Sequence, residues 1–317
     1  MPLNKHLCLV GRHSNGSEKF GIELRFDSIK ELLILVGWSY CVLSPKKYIF
    51  SAKHKTSGVC IVSFVNAWVI PLVKIRKQRI WLDAMDSRHL TISWQIKSKN
   101  VKNFFRATRS LFLGLFLRNI DLQTYITRRD MEADNPKSRC FVLPNRIPTV
   151  QSQPSVSKRF VMFGDWNYYP NRQGLMAFIQ IVWLEGNLSN AGISLCIYGK
   201  SLPKVLQGIP GLKFLGYASL TEIFTEKSIF ISPISIGSGL KNKTIMPLKA
   251  GCIVVSLPEG GVGIENEPNL ITVNNYSEML EKLKSFSKIW PIPKDSLPLD
   301  ESLFLANFKN TIEQIFN

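Results

Sequence analysis

Apolar residues in this chain come in short unbroken runs, separated by stretches with helical spacing. Unbroken runs of about four to eight residues suit strands covered on both faces, the habit of parallel sheets that alternate with helices. KHLCLVG (Lys5 to Gly11) opens the series, and CVLSP, GVCIVSF and RIWLDAMD follow as further strands. Asp27-Ser28 is placed to cap a helix with Ile29, Leu32, Leu33 and Val36 on one side. AWVIPLVKIRKQ predicts a helix between the last two of these strands, and Lys97 to Asn119 a longer one that is both basic and apolar. LQTYITRRDMEADNP then predicts a strand running into a helix, and CFVLPNRIP a strand closing in a Pro-Asn turn.

Residues 149–157 are rich in Pro, Ser and Gln and predict a linker. Beyond them the rhythm restarts with FVMFG, GISLCIYGK, GLKFLGYA, TEIFTEKSIFISPI, CIVVS and NLITVNNYSEMLEKLKSF. The tail, ESLFLANFKNTIEQIF, predicts a helix with Phe304, Phe308, Ile312 and Ile315 on one face. The expectation is an α/β chain with one domain over 1–148, a linker over 149–157, a second domain over 158–299 and a last helix over 300–317.

Composition narrows the class. A chain of 317 residues with 45% hydrophobic content has material for two cores, and nothing in it resembles a disordered chain. Its net charge of +17 calls for a polyanion, a nucleotide ligand or an anionic membrane surface. Nucleic acid is the partner suggested by charge alone, and no recognisable nucleic-acid module supports it. The cysteines (Cys8, Cys41, Cys60, Cys140, Cys196, Cys252) are scattered in apolar runs without CxxC spacing, which predicts buried thiols in a reducing cytoplasm and no metal site. Sequons at Asn15, Asn187, Asn242 and Asn275 carry no weight without a secretory leader. The charge-poor run from Thr56 to Val73 contains Gly58, Asn66 and Pro71, and suits a strand and helix better than a membrane span.

The chemistry is densest from Ile229 to Ile264: a buried strand, a Gly-Ser-Gly loop, a basic helix start, a second strand and a second glycine loop ending at Gly263. Amides at Gly237, Ser238 and Gly239 approach a phosphate closely because glycine has no Cβ, and Lys241 and Lys243 add positive charge. The wording SPxxxGSGLKNKxxxxLKAGCIVVS resembles the donor-binding segment of the retaining, nucleotide-sugar-dependent glycosyltransferases with the two-Rossmann GT-B fold. FVMFGDWNYYPNRQGL resembles the segment that opens the donor half in that family, beside the donor. The order LDxxDS, basic helices, xYIT and VLPNxxP is similar to the acceptor half, with Arg146 where glycine is usual.

The resemblance implies two facing Rossmann-like domains, with the last helix crossing back to the first. It implies donor contacts at Gly164, Gly199, Gly237, Ser238, Gly239, Lys241, Lys243 and Gly263, with the two lysines stabilising the departing diphosphate in place of a metal. It implies no cofactor beyond the nucleotide sugar, and a glycan or lipid-linked acceptor. In the family's Glu-x7-Glu pair, Ser238 stands at the first position and Met246 at the second, which ordinarily accepts from the ribose; Pro247 follows where alanine is usual. Glu259 and Glu265 are the nearest acids that would replace it. The departure also supports a second expectation, a non-catalytic partner subunit of an active transferase.

On the acceptor side, Asp86 is the candidate for contacting a hydroxyl, against a plain capping role. His89 and His13 are candidate polar contacts, against structural roles. The helix at Lys97 to Asn119 packs on the first domain or meets an anionic membrane surface. The expected place of action is the cytoplasm, peripheral at the inner face of the cell membrane.

Overall fold

The structure, a computed structural model, describes residues 6–10, 22–50, 58–145, 147, 150, 152–154, 158–291, 306, 308–310 and 313. The chain divides into two compact units, one of Met1–Arg146 with Leu299–Asn317 and one of Ile147–Pro298.

The first unit is built on six parallel strands: β1 (His6–Val10), β2 (Ser39–Leu43), β3 (Val59–Ser63), β4 (Arg79–Met85), β5 (Leu122–Tyr125) and β6 (Arg139–Val142). Their order across the sheet is β2-β1-β3-β4-β5-β6. Because side chains alternate across a strand, each apolar run feeds two cores. Leu7, Leu9, Val59, Ile61 and Trp81 belong to the core on one face. Cys8, Val10, Cys60, Val62, Ile80 and Leu82 belong to the other. The helices are α1 (Ile22–Leu35), α2 (Pro45–Phe50), α3 (Ile70–Ile75), α4 (Arg88–Lys97), α5 (Val101–Gly114) and α6 (Arg128–Asp134).

Two expectations about helix starts are corrected. Helix α1 begins at Ile22, so Asp27 and Ser28 lie inside it; Asp27 accepts from Lys30 at 2.6 Å and Ser28 is buried. The helix predicted over AWVIPLVKIRKQ starts earlier, in 3-10 form from Phe64 to Val69, and becomes α-helical at Ile70, where Pro71 fits the first turn. Described residues of the tail (Ala306, Phe308–Asn310, Glu313) are helical. Phe308 is fully buried, with its ring 6.0 Å from that of Trp81 in the first unit.

The second unit repeats the plan with β7 (Arg159–Asp165), β8 (Ser194–Lys200), β9 (Leu212–Gly216), β10 (Ser228–Ser232), β11 (Ile253–Ser256) and β12 (Leu270–Thr272), all parallel. The order is β12-β11-β10-β7-β8-β9. Its helices are α7 (Tyr169–Ala177), continued by a π-helical stretch (Phe178–Leu184), then α8 (Leu220–Ile223), α9 (Asn242–Lys249) and α10 (Tyr276–Lys288). Gly174 lets α7 lie against the end of β10, since a Cβ there would sit 2.3 Å from the Pro233 carbonyl oxygen.

Candidate functional site

In the second unit the chain leaves β7 toward β8 on one side, and returns to place β10 on the other. Loops leaving the carboxyl ends of β7 and β10 therefore diverge, and such a switch point is where open α/β sheets bind ligands. Gly164, next to last in β7, has φ +154°, and its neighbour Gly199 on β8 has φ +113°. A Cβ on Gly199 would lie 1.9 Å from the Gly164 carbonyl oxygen, so this edge of the crevice requires glycine.

The loop after β10 holds Gly237 (φ +153°) and Gly239 (φ +69°), and leads into α9. Lys241 is folded back on that loop: its Nζ donates to the carbonyls of Ser238 (3.0 Å) and Gly239 (2.8 Å) and to Glu259 Oε1 (3.1 Å). Lys243 takes a different partner, donating from Nζ to the side-chain oxygen of Asn171 at the start of α7. Asn171 in turn donates to the Asp165 carbonyl at 2.9 Å, which ties the end of β7 to α9. Burial first, and the charge of Lys241 second, pull the Lys243 ammonium from its usual range down to about 7. The two lysines are thus unlike. Lys241 has a carboxylate beside it, whereas Lys243 meets a neutral amide.

Beneath this loop lies a hydroxyl network. Ser232 and Thr244 share a hydrogen bond of 2.8 Å, and Ser256 Oγ donates to the Leu257 carbonyl at 2.8 Å. The second glycine loop sits on these hydroxyls, since a Cβ on Gly260 would lie 2.3 Å from Ser256 Oγ. Gly263 (φ +83°) donates its amide to Glu265 Oε1 at 2.8 Å. Each acid suggested as a substitute ribose acceptor therefore has a bond already, Glu259 to Lys241 and Glu265 to Gly263. Met246 is buried in the apolar cluster with Val161, Phe230 and Val254. Pro247 beside it lacks the N–H that would bond the Lys243 carbonyl.

In the first unit, Asp86 lies half-buried in the bend after β4. The more enclosed acid is Asp83, three residues earlier in the same LDxxDS motif. Arg25 donates to it from Nε (3.1 Å) and Nη2 (2.8 Å), Thr124 donates at 2.8 Å, and Arg25 Nη1 reaches the Leu143 carbonyl at 2.6 Å. Sequence reasoning missed this pair, because Arg25 and Asp83 are 58 residues apart and nothing local links them. His89 is exposed, with Nδ1 3.0 Å from Asp134, whose carboxylate also accepts from the amides of Arg88 and His89 and from Ser87 Oγ. That arrangement caps α4 with a carboxylate, as the helix dipole favours. His13 lies outside the described residues.

No protein-family profile and no curated protein matches the chain. Solved structures do. HepE of Anabaena, in complex with UDP and glucose, superposes with a TM-score of 0.60 at 12% identity, over 98% of this chain and 94% of that one. A sucrose-phosphate synthase of Thermosynechococcus elongatus gives a TM-score of 0.66 at 11% identity, again over 98% and 94%. A ugt transferase of Siraitia grosvenorii in complex with UDP gives 0.58 at 10% identity, over 98% and 100%. This chain has the GT-B fold. Within that GT-B fold, the structure gathers Gly164, Asn171 and Lys243 around the end of β7, and Gly237, Lys241 and Glu259 around the loop after β10. Among the described residues, no group of three or more His, Cys, Asp or Glu side chains is placed to hold a metal ion.

Proposed function

We propose that the protein transfers a sugar from a nucleoside-diphosphate sugar to a glycan or lipid-linked acceptor. The reading rests on one observation above all: a glycine loop and two lysines at the switch point of the second sheet of a GT-B chain. In the reaction, the bond between the sugar's anomeric carbon and the diphosphate oxygen breaks. A new bond forms from that carbon to an acceptor hydroxyl, whose proton passes to the departing diphosphate. Lys243 and the amides of Gly237, Ser238 and Gly239 donate to the negative charge that develops on the diphosphate, and Lys241, whose three N–H groups serve Ser238, Gly239 and Glu259, holds that loop in place; a donor of this kind contributes on the order of 3 kcal/mol. With an ammonium group in that role we assign a metal-independent transfer, and from the motif resemblance a retaining one. Asp86 is assigned to the acceptor, and the work to the cytoplasmic side of the membrane.

The bound ligands of HepE and of the Siraitia enzyme make UDP-sugars the first probes. A thermal-shift panel of uridine, guanosine and adenosine diphosphate sugars should give one series that raises the melting temperature, by mass action on the folded state. No shift with any of them, and no release of nucleoside diphosphate, overturns the proposal. The apolar burial of Met246 favours a second reading, a partner subunit without turnover. It predicts no transfer by the purified protein, and recovery of an active transferase when the tagged chain is isolated from its cell.

A further inference from the structure

Helix α5 turns its large apolar side chains outward. Its buried residues are Asn103, Ala107 and Leu113. Small groups let it lie close: Asn103 donates to Ser98 Oγ at 3.0 Å, and a Cβ on Gly114 would fall 1.9 Å from Arg88 Nη1. Opposite them Val101, Phe104, Phe105, Leu111, Phe112 and Leu115 are all exposed, Phe105 by 67% and Phe112 by 57%. At helical spacing these six share an arc of about 120°. Thr108 is the polar break within it. Lys102, Arg106 and Arg109 lie along one edge of the arc, and the helix contains no acid.

We infer that this face docks on an anionic lipid surface. The apolar arc matches the outer acyl layer, and the basic edge matches the headgroups, which is how interfacial helices lie in a membrane. Charge argues against a second copy as occupant, because a chain with net charge +17 repels itself. No helix among the described residues is long and apolar enough to cross a membrane, so the contact runs along the surface. The inference stands apart from the sugar chemistry, and fails or holds without it.

The test is flotation of the full chain with vesicles of phosphatidylcholine alone, and with an equal mixture of phosphatidylcholine and phosphatidylglycerol. The parent should float with the mixed vesicles and far less with the neutral ones, and added salt should weaken the binding. Phe105→Ser/Phe112→Ser should cut binding at least about ten-fold, since each phenyl ring loses its place in the acyl layer. Lys102→Glu/Arg106→Glu, which leaves the apolar arc intact, should cut it by at least about five-fold per residue. Both pairs are on the surface, and unchanged melting curves will verify folding. Parent protein that stays unbound on the mixed vesicles at low salt overturns the inference, as does a serine pair that floats undiminished. If the serine pair instead turns a self-associating parent into a monomer and neither binds lipid, the face belongs to a second copy.

Discussion

Raising the pH from 7 to about 9 will weaken nucleotide-sugar binding roughly fifty-fold, through Lys243. Burial beside Lys241 leaves this ammonium with a pKa of about 7 in the free protein, against the ordinary 10.5. That fall corresponds to on the order of 5 kcal/mol disfavouring the charged form. A diphosphate placed against Nζ reverses the penalty and draws the pKa back up. Above pH 7, binding must then take up a proton, and affinity falls about ten-fold for each pH unit. The sign for folding follows the same logic. A lysine whose folded pKa is depressed makes the folded chain hold fewer protons than the unfolded one. Its contribution to stability is least below about pH 7, and rises as pH climbs toward 10.5. Titration calorimetry with UDP-glucose, whose diphosphate has no proton to lose in this range, reads the uptake directly in two buffers of different ionisation enthalpy. Nearly one proton should be taken up above pH 8 or so, and none by Lys243→Met. Equal affinity at both pH values with no proton uptake would refute the reasoning.

Other outcomes follow from the same contacts. Glu259→Gln removes the carboxylate from a largely enclosed pair with Lys241, and should cost about 2–4 kcal/mol in urea unfolding; a double-mutant cycle with Lys241→Met that shows no coupling would count against the pair. Asp83→Asn strands the guanidinium of fully buried Arg25 and should cost about 3–5 kcal/mol, whereas exposed His89→Ala should cost under about 1 kcal/mol; equal losses in chemical denaturation would mean the buried network is misassigned. Gly199→Ala should lower the melting temperature by several degrees, because the new methyl group meets the Gly164 carbonyl oxygen at 1.9 Å; an unchanged melt would show that the strand ends yield easily. Met246→Glu should destabilise the free protein by about 2 kcal/mol or more, with a carboxyl set among Val161, Phe230 and Val254, and a gain in stability would place that side chain in a polar setting.

The strands were legible because both faces of each sheet are covered, so their apolar runs stand out against any helical spacing. KHLCLVG and CIVVS announce β1 and β11 almost to the residue. Helix starts were harder, since Asp27-Ser28 has the chemistry of a cap while Arg25 and Phe26 before it are committed to the core. The glycine loop was legible because Gly237 and Gly239 take positive φ values that other residues rarely adopt. What the sequence hid was pairing at long range. Nothing local links Lys243 to Asn171, Lys241 to Glu259, or Arg25 to Asp83. The basic, apolar character of α5 was plain from composition, but which face it buries depended on the small residues Asn103, Ala107 and Gly114, whose effect appears only when neighbours are packed against them.

Phe308 sets an order on biosynthesis. The second unit is one continuous length of chain, so a ribosome can deliver it whole. The first unit is not: Trp81 is made early, yet the ring that covers it arrives some two hundred residues later, at on the order of ten seconds or more of translation. Through that interval the nascent amino-terminal sheet carries an open seam, while the unit encoded after it is free to close first.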